Sequence, residues 1–401
     1  MERILFLGLG YIGLPTAALA ASRGLEVVGV DVDPAIVGKV NRGEIHIVEP
    51  GLAEAVREAV SAGRLRASLE PVLGDVYVVV VPTPFKGNHE PDVSYVEAAT
   101  RSVVPLLKED DLFVIESTSP VGTTDRMARL IFAERPELEG KLSVAYCPER
   151  VLPGRILYEL KHNDRIVGAE DPKAAQMTRE LYETFVEEGN CYVCDDVTAE
   201  LCKLAENTFR DINIAYANQL SMLCEKAGID VFRLIQLANK HPRVSILTPG
   251  LGVGGHCLAV DPWFIVEKYQ EDASLIRTAR EINERKPFWV KDQIRKELGG
   301  DLTKKIGILG MAYKPNIDDM RESPSLALAG ALVSEGYQVF GCEPNSRSSE
   351  ISGIPLLSLE ALLNQCDYLV IALAHDEFQD EAVRERIREK PHYDCIGFLR
   401  S

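Results

Sequence analysis

Apolar and polar positions alternate along the chain in two rhythms. At the start, "RILFLGLG", "LEVVGVD" and "VYVVVVPTP" are short apolar, β-branched runs. Near the end, "KIGILGMAY", "YQVFGCEP" and "DYLVIALAH" repeat the pattern. Runs apolar at every position predict strands buried on both faces, as in a parallel sheet. Between the first two runs of each set lie "LPTAALAASRG" and "SPSLALAGALVSEG", helix-like stretches that end in glycine, the residue that usually follows a helix C-terminus. Strand, helix, parallel strand, written twice, predicts two doubly wound α/β domains of the Rossmann kind.

The middle of the chain has the other rhythm. From Thr198 to Gly228 no internal proline or glycine interrupts the sequence, which predicts one long helix of about 45 Å. "DVFRLIQLANK" and "ASLIRTAREINERKPFWVKDQIRKEL" extend the helical segment. The expected organisation is therefore a dinucleotide-binding domain at 1–195, a central helical domain at 196–300, and a second Rossmann-like domain at 301–401.

Composition adjusts this picture little. The 401 residues are 46% hydrophobic and 26% charged, and 44 basic against 61 acidic residues give a net charge of −17. Those are globular values, and the acidity argues against a nucleic-acid or anionic-membrane partner. The N-terminal segment lacks a signal-peptide pattern, so the expected location is cytoplasmic, with the nine cysteines as free thiols. "CYVC" (Cys191, Cys194) sits in an expected strand with no second such pair, and no metal site is read from it.

Gly8, Gly10 and Gly13 form G-x-G-x-x-G around Tyr11 and Ile12, and Asp31 closes the next run 18 residues after Gly13. Glycines there let the backbone approach a pyrophosphate at a helix N-terminus, and the acid accepts ribose hydroxyls, favouring NAD over NADP. Thr83 and Thr118 follow later strands, where ligands of such sheets bind. Lys203, Asn207 and Arg210, spaced four and three apart, share one stripe of the long helix. That stripe is either an oxyanion site or a solvated face. Glu149 and Arg150 follow "LSVAY", and His241 and Arg243 precede "PGLGVGGHCLAVDPWF", which holds Gly254, Cys257 and Asp261. Cys257 is either a nucleophile on a glycine-rich loop or a small core residue. Beside an NAD site, a reactive thiol suits covalent oxidation of an aldehyde.

"GLGYIGLP", "VPTPF", "ESTSPVGTT", "CPERVLPGR", "KLAENTFRD", "GVGGHC" and "YKPNIDDMRESP" together resemble the nucleotide-sugar 6-dehydrogenases, the UDP-glucose/UDP-mannose dehydrogenase family. The resemblance spans essentially the whole chain. "FKGNHEPDVSYVEAA", "HPRVSIL" and "HCLAVDPWF" are similar to its UDP-N-acetyl-D-mannosamine branch. His256, Ala259 and Val260 stand where UDP-glucose enzymes carry serine and Pro-Lys.

The resemblance implies NAD-dependent, four-electron oxidation of a sugar C6 alcohol to a carboxylate. Cys257 would carry a thiohemiacetal and then a thioester. Lys203 and Asn207 would stabilise the oxyanion, Asp261 and Thr118 would assist proton transfer, and Glu149 would activate the hydrolytic water. Arg150, Val151, Lys203, Asn207, Arg210, His241, Arg243, Gly254, Tyr313 and Lys314 would bind the UDP-sugar, and Arg321 would reach the NAD. It also implies a homodimer across the long helix, with Arg243 crossing between subunits. UDP-N-acetylglucosamine, UDP-N-acetylgalactosamine and UDP-glucose are the alternative substrates. In the second Rossmann-like domain Gly307, Gly310 and Lys314 read as a weakened glycine motif, so one NAD site is expected.

Overall fold

The computed structural model describes residues 3–87, 89–152 and 154–400. Its contacts divide the chain into two compact units, Met1–Ala205 and Glu206–Ser401.

The first unit is built on an eight-stranded sheet. From one edge to the other its strands are Cys191–Cys194, Arg165–Gly168, Ser143–Tyr146, Leu112–Ile115, Val76–Val79, Arg3–Leu7, Glu26–Val30 and Leu65–Ser68. The six strands from Leu65–Ser68 to Ser143–Tyr146 run parallel. Arg165–Gly168 then reverses, and Cys191–Cys194 follows it in parallel. Both faces are covered, as the uninterrupted apolar runs require. Ile4, Phe6, Val76 and Val78 pack into one core and Leu5, Leu7, Tyr77 and Val79 into another. The helix Gly13–Ser22 returns the chain after the first strand, and Gly24 beyond it has φ +87°.

In the second unit the strands Gln338–Cys342, Lys305–Leu309, Tyr368–Ile371 and His392–Asp394 form a parallel four-stranded sheet. Ile306 and Ile308 face one core, Leu309 the other. The helix Pro324–Ser334 follows, started by the Ser323 hydroxyl, which accepts the Leu326 N–H.

The long helix runs from Asp196 to Ala227, 32 residues, and Gly228 ends it at φ +67°. Val231–Ala238 follows, capped by Asp230. The helix Ser274–Glu297 contains Pro287. A proline cannot donate to the carbonyl four residues back, which here is that of Asn283. That face is used: a Cβ on Gly252 would lie 2.7 Å from the Asn283 carbonyl oxygen.

Candidate active site

In the first unit the glycine turn has the form a dinucleotide needs. A Cβ on Gly8 would meet the Val80 carbonyl at 2.2 Å, and one on Gly13 the Gly8 carbonyl at 2.0 Å, whereas Gly10 faces open space. The strand end, the turn and the helix are thus packed against one another, leaving the middle glycine clear for a phosphate. Asp31 Oδ2 accepts the Leu9 N–H at 3.0 Å and Oδ1 the Asp33 N–H at 3.0 Å, so the carboxylate is fixed at the strand end. Tyr11 and Ile12 continue the same turn into the helix Gly13–Ser22. Thr83 Oγ1 donates to the Thr118 carbonyl at 2.6 Å, joining the two threonine loops. These residues fit an NAD.

Glu149 and Lys203 form the second constellation of this unit. Lys203 Nζ donates to Glu149 Oε1 at 3.0 Å, and the Val151 N–H donates to Glu149 Oε2 at 2.8 Å. Both side chains are buried. Burial pushes the Glu149 carboxyl up, but the Lys203 ammonium and the Val151 N–H outweigh it and hold it below the usual carboxylate range. Arg150 Nη1 donates to the Asp164 carbonyl at 2.9 Å.

Sequence reasoning missed three charged residues that support this arrangement. Glu116 and Arg165 form a fully buried pair at 3.0 Å, the guanidinium 4.5 Å from the Tyr182 ring centre. Arg165 also acts electrostatically on Glu149. Glu200, on the long helix, accepts the Thr124 N–H at 2.8 Å and the Gly122 N–H at 2.5 Å, seating the helix that follows Thr118. The available signal was a glutamate directly after the apolar run "LFVI" and an arginine opening "RIVG".

In the second unit, Cys257 is half-buried on a loop held from several sides. Its carbonyl accepts the Val260 and Asp261 N–H groups at 2.9 and 2.8 Å, closing the turn that starts the helix Asp261–Tyr269. Asp261 is buried and accepts from Asn207 Nδ2 at 2.5 Å. The Gly255 N–H donates to the Arg321 carbonyl at 2.9 Å. A Cβ on Gly254 would lie 2.4 Å from the Glu322 carbonyl, and one on Gly255, at φ +83°, 2.8 Å from the Tyr313 ring. Close packing on Tyr313 and Glu322 is therefore what demands glycine at these two positions.

A buried polar network lies beneath the loop. Arg280 Nη1 donates to Asp211 Oδ1 at 2.7 Å, Asn283 Nδ2 to the same oxygen at 2.8 Å, and Asn218 Nδ2 to Asn283 Oδ1 at 2.9 Å. The chain of bonds ends where the Gly250 N–H donates to Asn218 Oδ1 at 2.8 Å. Burial pushes the Asp211 carboxyl up, against the pull of Arg280.

Arg321 forks onto Asp319 and lies within electrostatic reach of Cys257. Arg210, His241 and Arg243 are exposed, and Lys314 is half-buried. Gly307 departs from the sequence reading. It lies inside the strand Lys305–Leu309, where a Cβ would strike Leu362 at 2.7 Å, and Gly310 with φ +91° takes the place of Gly8. The loop N–H groups of Met311 and Ala312 donate to Glu343 Oε2 at 2.8 and 3.0 Å. His375 Nε2 lies 3.2 Å from the same carboxylate. This glycine turn already holds an internal anion.

Three domains of one family match in order: the NAD binding domain of the UDP-glucose/GDP-mannose dehydrogenase family at residues 2–186, its central domain at 197–285, and its UDP binding domain at 307–401. The chain belongs to the UDP-glucose/GDP-mannose dehydrogenase family. The family's NAD binding domain contains the Gly8–Asp31 turn, its central domain Cys257, and its UDP binding domain Tyr313, Lys314 and Arg321.

A UDP-N-acetyl-D-mannosamine dehydrogenase of Salmonella typhi is 49% identical, covering 95% of this chain and 96% of its own. An NDP-N-acetyl-D-galactosaminuronic acid dehydrogenase of Ralstonia nicotianae is also 49% identical, covering 97% and 94%. The solved UDP-D-ManNAc dehydrogenase of Pyrococcus horikoshii is 40% identical with a TM-score of 0.89, covering 99% and 96%. Among the described residues no helix is long and apolar enough to cross a membrane.

Proposed function

We propose that this dehydrogenase oxidises UDP-N-acetyl-D-mannosamine to UDP-N-acetyl-D-mannosaminuronate in two steps through Cys257. The observation that carries the reading is the Asn207–Asp261 bond at the base of the Cys257 loop. It ties the buried Asp261 carboxylate, at the end of the turn that holds the thiol, to an amide of the long helix.

In the first step the C6 hydroxyl loses a proton and C6 a hydride, giving the aldehyde. The Cys257 sulfur then adds to that carbon and the oxygen takes a proton, forming a thiohemiacetal. Loss of a second hydride and the hydroxyl proton gives a thioester, and water releases the carboxylate and the thiol. NAD, when bound, supplies the hydride acceptor for each oxidation. Gly10 leaves room for its pyrophosphate and Asp31 holds its ribose hydroxyls.

Lys203 and Asn207 stabilise charge developing on the C6 oxygen. Asp261 and Thr118 pass protons, and Glu149, kept ionised beside Lys203, serves as base for the hydrolytic water. Arg150, Val151, Arg210, His241, Arg243, Gly254, Tyr313 and Lys314 bind the UDP-sugar, and Arg321 reaches the NAD.

The same reading has a domain division at 1–195, 196–300 and 301–401, a cytoplasmic location, and a uronic acid product destined for a surface polysaccharide. It also has a homodimer formed across the long helix, with Arg243 reaching the neighbouring site. Phe209, Tyr216 and Leu223 support the dimer: seven residues apart, they are 71%, 51% and 55% exposed, an apolar seam suited to a second helix.

The test is a panel of UDP-sugars with NADH counted per sugar. UDP-N-acetylmannosamine should yield two NADH per molecule, and Cys257→Ala should abolish the overall reaction while leaving NAD binding intact. One NADH per substrate, or turnover by the alanine variant, rejects the covalent route. The Ralstonia relative favours a second reading, an N-acetylgalactosamine nucleotide as substrate. UDP-N-acetylglucosamine and UDP-glucose complete the panel.

A further inference from the structure

Within the second unit lies a cavity of about 450 Å³ that none of the catalytic or binding candidates lines. Lys286 lines it and is only 3% exposed. Its Nζ donates to Ser221 Oγ at 2.5 Å and stands 4.3 Å from the Trp289 ring centre. Neither partner is an anion. A buried ammonium without a carboxylate is costly, and the site gains by supplying one. Burial accordingly pulls the Lys286 ammonium down to about 8, with Cys395 and Glu225 opposing the shift.

Three of the four acids that line the cavity are engaged elsewhere. Asp394 accepts N–H bonds from Ile396, Phe398 and Leu399. Asp230 caps the helix Val231–Ala238 and pairs with Arg400, and Glu297 takes the Tyr368 hydroxyl. Glu225 lies exposed on the long helix. Ile229, Val231, Phe232 and Leu399 supply apolar wall. The volume is that of a small-ligand pocket.

We propose that this cavity is a second ligand site that takes a small organic anion, its carboxylate or phosphate group against Lys286 and its apolar body against Ile229, Val231, Phe232 and Leu399. The site is independent of the apolar seam. Ser221 and Cys224 lie roughly 160° and 100° around the long helix from Leu223 at 100° per residue.

Benzoate, phenyl phosphate and neutral benzamide serve as probes on the full-length protein, with NAD and UDP-sugar product present to fill the catalytic site. Ligand-observed NMR titration should show binding of one or both anions and none of benzamide. The preferred anion identifies the head group. Lys286→Met should weaken that binding at least tenfold. Benzamide binding as well as the anions, or an unchanged affinity in the variant, overturns the proposal. A second measurement needs no variant: acetic anhydride labelling of Lys286, read by peptide mass spectrometry, should slow when the bound anion is added. An unchanged labelling rate overturns the proposal as well.

Discussion

Asn207 on the long helix and Asp261 at the first turn of the helix after the cysteine loop share a 2.5 Å hydrogen bond. Asp261 is buried, and the amide offsets part of the cost of burying its carboxyl group. Asp261→Asn keeps the shape and removes the carboxylate. If Asp261 handles a proton, kcat should fall by about 10²–10⁴ while NAD affinity, measured by fluorescence titration, stays unchanged. A kcat within twofold of wild type would remove Asp261 from the chemistry.

Lys203 and Glu149 are a buried ion pair, and removing one partner strands the other. Lys203→Met should cost about 3–5 kcal/mol of stability, read by denaturant unfolding. Lys203→Met combined with Glu149→Gln should recover much of that loss and remain inactive. Recovery of stability without activity separates the structural from the chemical share of the pair.

Gly254→Ala places a Cβ 2.4 Å from the Glu322 carbonyl and 2.8 Å from Tyr313 Cβ. Backbone has to move, at about 1–3 kcal/mol. The expected kinetic result is a lower kcat and a higher KM for the UDP-sugar, with the KM for NAD unaltered.

The seam of Phe209, Tyr216 and Leu223 gives a third kind of test. Phe209→Glu with Tyr216→Glu should convert the proposed dimer to a single chain in light scattering, because charges that dimerisation would bury carry a desolvation cost. Unchanged mass would place the subunit contact elsewhere.

Asp111 gives a pH prediction. Burial raises its carboxyl from 3.8 to about 6, so the folded state prefers the protonated form. The sign follows from linkage: the favourable contribution is complete below pH 3.8 and is lost as pH rises through about 6. Asp111→Asn, which cannot ionise, should therefore gain stability relative to wild type between pH 4 and pH 7. Thermal unfolding across that range measures it.

The strands were legible because burial on both faces leaves uninterrupted apolar runs, such as residues 4–7 and Val76–Val79. Strand direction was not: "RIVG" carries no mark that Arg165–Gly168 runs against its neighbour. The stripe of Lys203 and Asn207 was visible in helical spacing, but its partners were not. Glu149 and Asp261 each lie 54 positions away, and periodicity sees only neighbours. Asp211, Asn218, Arg280 and Asn283 were hidden for another reason. Polar residues within a helix read as solvent-facing, and only tertiary packing shows them buried against one another.

The Glu343 carboxylate gives the second glycine turn a different character from the first. At Gly8–Asp31 one loop N–H is satisfied by the acid and the middle glycine stays clear. At Gly310, two loop N–H groups and His375 converge on one buried oxygen. The turn is a welded joint rather than a socket. A phosphate arriving there would meet a resident negative charge and loop N–H groups already taken.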